Sequence, residues 1–147
     1  MNKVQDNYLR WLNSDVVSIR DKEILRAMSE EEKADAFFKN VEFGTAGMRG
    51  VLGPGTNRLN NFTVRKAVIS FAIYLIEKYD DAYTAGVVIS HDNRRMSREF
   101  TLLCAKVLSE FGLKVYLFDS LRPTPELSFA IRYKKACGGI MITASHN

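Results

Sequence analysis

The sequence has few cysteines and no long apolar run, and both absences exclude whole classes of protein. Its 147 residues include two cysteines, Cys104 and Cys137, too few for the disulfide framework of a small secreted domain. No apolar stretch approaches the roughly 20 residues that a membrane-spanning helix needs. The N-terminal segment, with Asp6, Arg10 and Asp15, has the pattern of neither a signal peptide nor a transit peptide. We therefore expect a soluble cytoplasmic protein with no membrane partner.

Common nucleotide-binding motifs are missing as well. The glycine-rich segment around Gly44, Gly47 and Gly50 lacks the Gly-Lys-Ser/Thr of a P-loop and does not match the dinucleotide fingerprint. No basic stripe carries interleaved aromatic residues, so the net charge of +4 does not predict a nucleic-acid partner. Residues 51–147 nevertheless carry 13 basic and 8 acidic side chains, and a positive excess of this kind suits a phosphorylated small molecule.

The pattern that is present is an alternation of strands and helices. With 46% hydrophobic residues, the chain can bury the core of one domain. Strand–helix–strand repeats predict an α/β fold in which helices pack on a parallel or mixed sheet. We predict helices over 4–13, 15–28, 29–40, 61–79, 97–111 and 125–134, and strands over 86–90, 114–118 and 138–143.

Two helices have clear apolar faces, and local signals mark several helix ends. Ser29 followed by Glu32 is a capping box, and Asn61 or Thr63 is the expected cap of the fourth helix. Because Cys104 falls on an apolar stripe, we interpret it as a reduced, buried thiol. The predicted core faces are Val64, Ala67, Val68, Phe71, Leu75 and Tyr79, then Phe100, Leu103, Cys104, Val107, Leu108 and Phe111.

The last residues of the chain follow a predicted buried strand. Ser145, His146 and Asn147 would lie in the loop after that strand, where α/β enzymes place reacting groups. A serine oxygen, a histidine and the guanidinium of Arg49 are groups that phosphoryl transfer can use. Ser145 and Asn147 are also typical turn formers, so residue types alone leave both interpretations open.

Four segments closely resemble motifs of the α-D-phosphohexomutases, the phosphoglucomutase/phosphomannomutase family. The segments occur in the family's order, and the resemblance runs from about residue 41 to the end. Residues 1–40 resemble the helical leader of the branch whose motif reads Gly-Thr-Ala-Gly. The resemblance implies a leader over 1–40 and the family's first domain over 41–147, truncated at the phosphoserine loop. The matching residues are 43–50 (FGTAGMRG), Asp92 with Arg94, 123–125 (PTP) and 139–147 (GIMITASHN).

The resemblance also implies a mechanism for the parent protein. Ser145 matches the family's phosphoserine, which exchanges its phosphoryl group with a hexose phosphate through a hexose 1,6-bisphosphate that is both intermediate and activator. Arg49 and His146 match residues beside that serine, with Thr45 and Asn147 as further phosphate contacts. Mg²⁺ would bind a phosphoryl oxygen on Ser145 and three aspartates of the second domain. Those aspartates, the general base and the sugar-reading loop are not in this sequence, so we expect the isolated chain to be inactive.

Two other functions remain as alternatives. A serine hydrolase would use the same nucleophile, but Ser145 lacks the Gly-x-Ser-x-Gly elbow and no acid–histidine pair is apparent for a triad. A non-catalytic module would bind a sugar phosphate on the same loops without transferring the phosphoryl group. The motifs leave the sugar open between glucose, mannose and others, and they carry no signal for an oligomeric state.

Overall fold

The described part of the chain has an α/β fold with a parallel sheet, as the alternating pattern predicts. The chain divides into two units, Met1–Thr63 and Val64–Asn147. No helix in the part that is described is long and apolar enough to cross a membrane. The structure, a computed structural model, describes residues 2–44, 47–91, 97–117 and 135–142.

Three short helices form most of the first unit: α1 (Lys3–Leu12), α2 (Ile19–Arg26) and α3 (Glu30–Phe37). The second is shorter than the predicted 15–28, because the side chain of Ser18 caps it by accepting a hydrogen bond from the amide of Asp21 at 3.1 Å. The capping box of Ser29 and Glu32 is confirmed, with both reciprocal bonds present. The third helix ends at Phe37 rather than near residue 40.

An aromatic cluster forms the core of the first unit. Phe37 is fully buried, and the rings of Tyr8 and Trp11 meet it edge-on at 5.8 and 6.0 Å between centroids. The hydroxyl of Tyr8 donates a hydrogen bond to the carbonyl of Leu25 at 2.9 Å, so its polar atom is satisfied inside the core. Burying a side chain such as Phe37 contributes about 2 to 3 kcal/mol. The three helices are thereby joined around one centre.

Two strands of two residues each follow the helices. Strand β1 (Phe43–Gly44) pairs antiparallel with β2 (Gly47–Met48), so that the chain reverses direction within the glycine-rich segment. Helix α4 (Asn61–Lys78) starts in the first unit and continues into the second. In its first turn, Phe62 lies against Trp11 with 5.2 Å between ring centroids.

The second unit contains a three-stranded parallel sheet. The sheet has β3 (Val87–His91) in the centre, between β4 (Val115–Leu117) and β5 (Gly138–Ile142), so the strand of this sheet that comes first in sequence is the central one. The central strand is buried along nearly its whole length, with Val87, Val88 and Ile89 at most 2% exposed, as expected for a parallel strand covered on both faces. The remaining elements are α5 (Ala82–Ala85) and α6 (Ser97–Glu110).

The predicted strands and the helix over 97–111 are found within one or two residues, where the structure describes them. The predicted helix over 125–134 lies outside the described residues. Of the face predicted for α6, Phe100, Cys104, Val107 and Leu108 are buried, whereas Leu103 and Phe111 are half-buried. On α4, Val64, Val68 and Leu75 are buried as predicted, and Ala72 joins them, whereas Ala67, Phe71 and Tyr79 are half-buried.

Candidate functional site

The glycine-rich segment forms a hairpin that exposes a cationic side chain. We call residues 43–49 the phosphate hairpin: β1, the two residues Thr45 and Ala46, β2 and Arg49. Arg49 is exposed, and among the described residues no hydrogen bond or ion pair involves its side chain. A guanidinium in this state can grip a phosphate with two parallel hydrogen bonds.

The base of the phosphate hairpin is held on both sides by one returning segment, residues 56–59. On the entering side, the amide of Val41 donates to the carbonyl of Thr56 at 2.8 Å. On the leaving side, the amide of Leu59 donates to the carbonyl of Val51 at 2.8 Å, and that of Gly53 donates to Leu59 at 3.1 Å. Arg49 therefore projects from a closed loop whose two ends share an anchor.

The returning segment is fastened in turn to the end of α3. Asn57 donates from its backbone amide to the carbonyl of Ala36 at 2.9 Å, and from its side chain to the carbonyl of Asp35 at 3.0 Å. The hydroxyl of Thr56 donates to the carbonyl of Lys39 at 2.8 Å. The two bonds from Asn57 satisfy carbonyls that the helix end leaves without an intrahelical partner, and the bond from Thr56 reaches a carbonyl just past the helix.

An ion pair and a close glycine contact complete this attachment. Arg58, whose side chain is 13% exposed, pairs with the carboxylate of Asp35 at 2.7 Å. A Cβ added to Gly55 would lie 2.8 Å from the carbonyl oxygen of Ala36, and Gly55 has a φ of +136°. Only glycine fits that close approach without displacing the backbone.

The cap of α4 is Asn60, and not Asn61 or Thr63 as predicted. The side-chain oxygen of Asn60 accepts from the amides of Phe62 and Thr63, both at 3.0 Å. Thr63 completes a reciprocal box, since its hydroxyl accepts from the amide of Asn60 at 3.0 Å and donates to the carbonyl of Arg58 at 2.7 Å. The sequence signal for this cap was the Asn-x-x-Thr spacing of Asn60 and Thr63, which begins one residue before Asn61.

A separate candidate region, in the second unit, is the carboxyl-terminal end of the sheet. His91 and Ile142, the last residues of β3 and β5, are paired in register on neighbouring parallel strands. Both strands therefore end at the same edge of the sheet, and Asp92, Arg94 and Ser145 come after them in sequence, outside the described residues. Open α/β sheets bind their ligands beyond this edge.

Of the predicted site residues, the structure describes Arg49 alone. Thr45, Ser145, His146 and Asn147 lie outside the described residues, as do Asp92, Arg94 and residues 123–125. The predicted approach of Arg49 to Ser145, across 96 positions of sequence, thus remains a prediction. Within the ranges that are described, no group of three His, Cys, Asp or Glu residues could hold a metal ion.

The two thiols lie in the second unit and have no role in the candidate site. Burial raises the pKa of Cys104 to about 12, which keeps it protonated and unreactive at neutral pH. Burial also raises the pKa of Cys137, whose thiol donates to the carbonyl of Gly86 at 3.1 Å. Burial thus favours the protonated form of both thiols.

Comparisons with known proteins match this domain to one family. The sequence profile of phosphoglucomutase/phosphomannomutase, alpha/beta/alpha domain I, matches residues 40–147. A phosphoglucomutase of Staphylococcus epidermidis is 41% identical over 144 residues, covering 98% of this chain and 25% of that protein. A human phosphopentomutase is 38% identical over 146 residues, covering 95% of this chain and 24% of that protein.

The chain thus spans about a quarter of the length of these curated relatives. No solved structure matches it. The profile match covers well over half of the sequence, including the phosphate hairpin, the parallel sheet and the segment that carries Ser145. On these matches, the chain belongs to the phosphoglucomutase/phosphomannomutase family and carries its alpha/beta/alpha domain I.

Proposed function

We propose that this chain is the first domain of a cytoplasmic mutase that interconverts hexose 1-phosphates and hexose 6-phosphates through a phosphoserine at Ser145. The observation that carries the proposal is the family match over residues 40–147, which includes both the phosphate hairpin and the serine segment. The exposed guanidinium of Arg49, which pairs with no other described residue, lies on an anchored hairpin and supports the proposal, because phosphoryl transfer needs fixed positive charge near the moving group.

In the proposed reaction, the phosphoryl group moves from the Ser145 oxygen to a hydroxyl of the sugar phosphate. The bond between phosphorus and the serine oxygen breaks, a bond to the sugar oxygen forms, and the hydroxyl proton passes to a base outside this chain. The serine regains a phosphoryl group from the other end of the hexose 1,6-bisphosphate. Arg49 would neutralise charge on the phosphoryl oxygens, with Thr45, His146 and Asn147 contributing hydrogen bonds.

A magnesium ion belongs to this proposal as a partner of the phosphorylated serine. It would supply further neutralisation of phosphoryl charge when bound. Its remaining ligands would come from residues outside this chain. We accordingly propose that the 147-residue chain alone has no mutase activity, although its helix faces and strands can form a core.

A pentose phosphate is the second candidate substrate. The similarity to the human phosphopentomutase, 38% identical, is close to that of the bacterial phosphoglucomutase at 41%. Identity over one domain therefore does not favour either sugar. Turnover of glucose, mannose and ribose 1-phosphates by the full-length protein, each with its own bisphosphate, separates the candidates.

The central test is removal of the nucleophile. In the full-length protein, Ser145→Ala should abolish mutase turnover and also abolish the phosphate adduct seen by intact-mass measurement, while leaving the circular dichroism spectrum unchanged. Arg49→Ala should slow transfer without preventing phosphorylation of Ser145. Arg20→Ala, an exposed arginine on α2, is the matched control and should retain full turnover. Wild-type turnover by Ser145→Ala in the presence of bisphosphate would refute the phosphoserine mechanism.

A further inference from the structure

The side chain of Asn60 uses its complete hydrogen-bonding capacity, and no motif assigns it a role. Its oxygen accepts two backbone amides at the start of α4, from Phe62 and Thr63. Its nitrogen donates to two backbone carbonyls of the preceding loop, Gly53 at 2.9 Å and Gly55 at 3.0 Å. A primary amide has two donors and two acceptor positions, so all four are occupied.

The two halves of this amide act on different elements. The oxygen caps a helix, which serine or aspartate could also do. The nitrogen closes the turn between Gly53 and Gly55, where both glycines have positive φ angles of +147° and +136°. Aspartate and serine offer no amide hydrogens for those two carbonyls, and glutamine is one carbon longer. The loop bonds therefore require asparagine.

The loop that Asn60 closes is connected directly to the phosphate hairpin. The amide of Gly53 donates to the carbonyl of Leu59, the residue before Asn60, and the amide of Leu59 donates to the carbonyl of Val51. Val51 is two residues after Arg49. A hypothetical Cβ on Gly50 would contact the Leu59 side chain at 3.4 Å, so this part of the loop is close-packed. Two backbone hydrogen bonds, from Gly53 to Leu59 and from Leu59 to Val51, thus connect the turn that Asn60 closes with the backbone just after Arg49.

We propose that Asn60 is a positioning residue that fixes the backbone of the phosphate hairpin and thereby the placement of Arg49. The proposal deepens the proposed function and rests on it for its catalytic consequence. The start of α4 serves as the rigid support, and the amide nitrogen of Asn60 transmits that support to the 53–55 turn. Loss of the two donated bonds frees the turn while the helix cap remains.

Two variants separate the loop bonds from the helix cap. Asn60→Asp and Asn60→Ser both retain a cap oxygen, and both lack the amide nitrogen whose two N–H groups donate to Gly53 and Gly55. In the full-length protein we expect hydrogen exchange at the amides of Gly53 and Leu59 to accelerate about three- to tenfold, the range for losing one or two modest hydrogen bonds. Amides of α4 beyond its first turn should exchange as in wild type. Unchanged exchange at both loop amides would overturn the proposal.

A double-mutant cycle tests whether the loop acts through Arg49. Asn60→Ser should lower kcat about tenfold with a smaller change in KM, because misplaced positive charge weakens stabilisation of the transferring phosphoryl group. In the Arg49→Ala background the same substitution should have little further effect, since the side chain that it misplaces is already gone. If Asn60→Ser lowered kcat by the same factor in the wild-type and Arg49→Ala backgrounds, the positioning role would be overturned.

The control is Ser18→Ala, which removes the cap of α2, a helix that shares no described hydrogen bond with residues 53–60. It should lower stability by an amount similar to the loss of any cap, with turnover and loop exchange unchanged. If Arg49→Ala itself leaves turnover unaltered, the proposed site is wrong, and the exchange rates at Gly53 and Leu59 alone decide whether Asn60 holds the hairpin.

Discussion

Residues 2–63 and the described part of residues 64–142 reach a defined shape through different interactions. In the first unit, the segment 53–60 is fastened by hydrogen bonds from side chains to backbone carbonyls, given by Thr56, Asn57, Arg58 and Asn60. In the second unit, the central strand is paired on both sides and lies beneath the apolar faces of helices.

The difference reflects what each region has to present. A segment that binds a ligand keeps its own backbone and cationic side chains accessible, so it cannot be stabilised by deep apolar burial. In the first unit, specific polar side chains and glycines stabilise this segment in place of apolar burial. The central strand of the sheet needs no such access, so it can be buried and closely packed. We therefore expect the stability of the loop to depend on which polar residues and glycines it contains. The stability of the sheet should depend on the volume of its buried side chains.

The largest loss of stability should follow truncation in the sheet. Ile89→Ala removes a fully buried side chain from the central strand and should cost about 3 to 4 kcal/mol, from lost burial and the cavity left behind. Its register partner on β4, Leu117, is 45% exposed, and Leu117→Ala should cost under about 1 kcal/mol. Urea unfolding followed by circular dichroism measures both. Equal losses would mean that strand pairing, not burial, dominates this sheet.

A smaller loss should follow the addition of one methyl group to the loop. Gly55→Ala places a Cβ against the Ala36 carbonyl at a positive φ and should cost about 2 to 3 kcal/mol. Gly53→Ala is the matched control, because it has a positive φ with nothing within 4 Å of the added Cβ. The control should cost about 1 kcal/mol from backbone strain alone. Equal losses of stability in the two variants would show that the close contact between Gly55 and α3 does not constrain the loop.

The buried thiol should make the second unit sensitive to alkaline pH. Burial raises the pKa of Cys104 to about 12 from 9.0, so its contribution is complete below pH 9 and is lost as pH rises toward 12. Between pH 8 and pH 10, wild type should lose about 1.4 kcal/mol of unfolding free energy more than Cys104→Ala does. Urea unfolding at both pH values provides the measurement. Parallel pH profiles would show that Cys104 ionises as freely in the folded chain as in the unfolded one.

The smallest expected effect concerns the ion pair of Asp35 and Arg58. Asp35→Asn removes a carboxylate that is 64% exposed, and should cost about 0.5 to 1 kcal/mol at low salt and less at high salt. Glu31→Gln, an exposed acid in the same helix, provides the control and should change stability little. A salt-independent loss for Asp35→Asn would assign its effect to hydrogen bonding instead of charge.

Local patterns predicted most of the regular elements. The apolar stripe of α6, with Phe100, Cys104, Val107 and Leu108, lies on the buried face, and the capping box of Ser29 starts α3 as its spacing indicates. These features depend on residues within one or two turns of each other. The errors at α2 and α4 were also local, because Ser18 and Asn60 are caps that competed with nearby polar residues.

The candidate site was predicted less completely. Glycine spacing and the resemblance pointed to the phosphate hairpin and to Arg49, but nothing in the local pattern indicated the support beneath it. The bonds that provide this support join Thr56 to Lys39, Asn57 to Asp35 and Val41 to Thr56, across 15 to 22 positions of sequence. Such contacts carry no periodicity, because each depends on two separate segments meeting.

The sequence by itself determined the alternation of strands and helices, most of the buried face of α6 and membership of the mutase family. Periodicity, caps and motif order are local quantities, and each can be read without knowing where the chain turns. Only the tertiary structure decided that the first strand of the sheet lies at its centre, and that residues 56–59 and Asn60 anchor the phosphate hairpin. Strand order and loop anchoring follow from favourable contacts between distant segments, whose free energies exist only once the chain has folded.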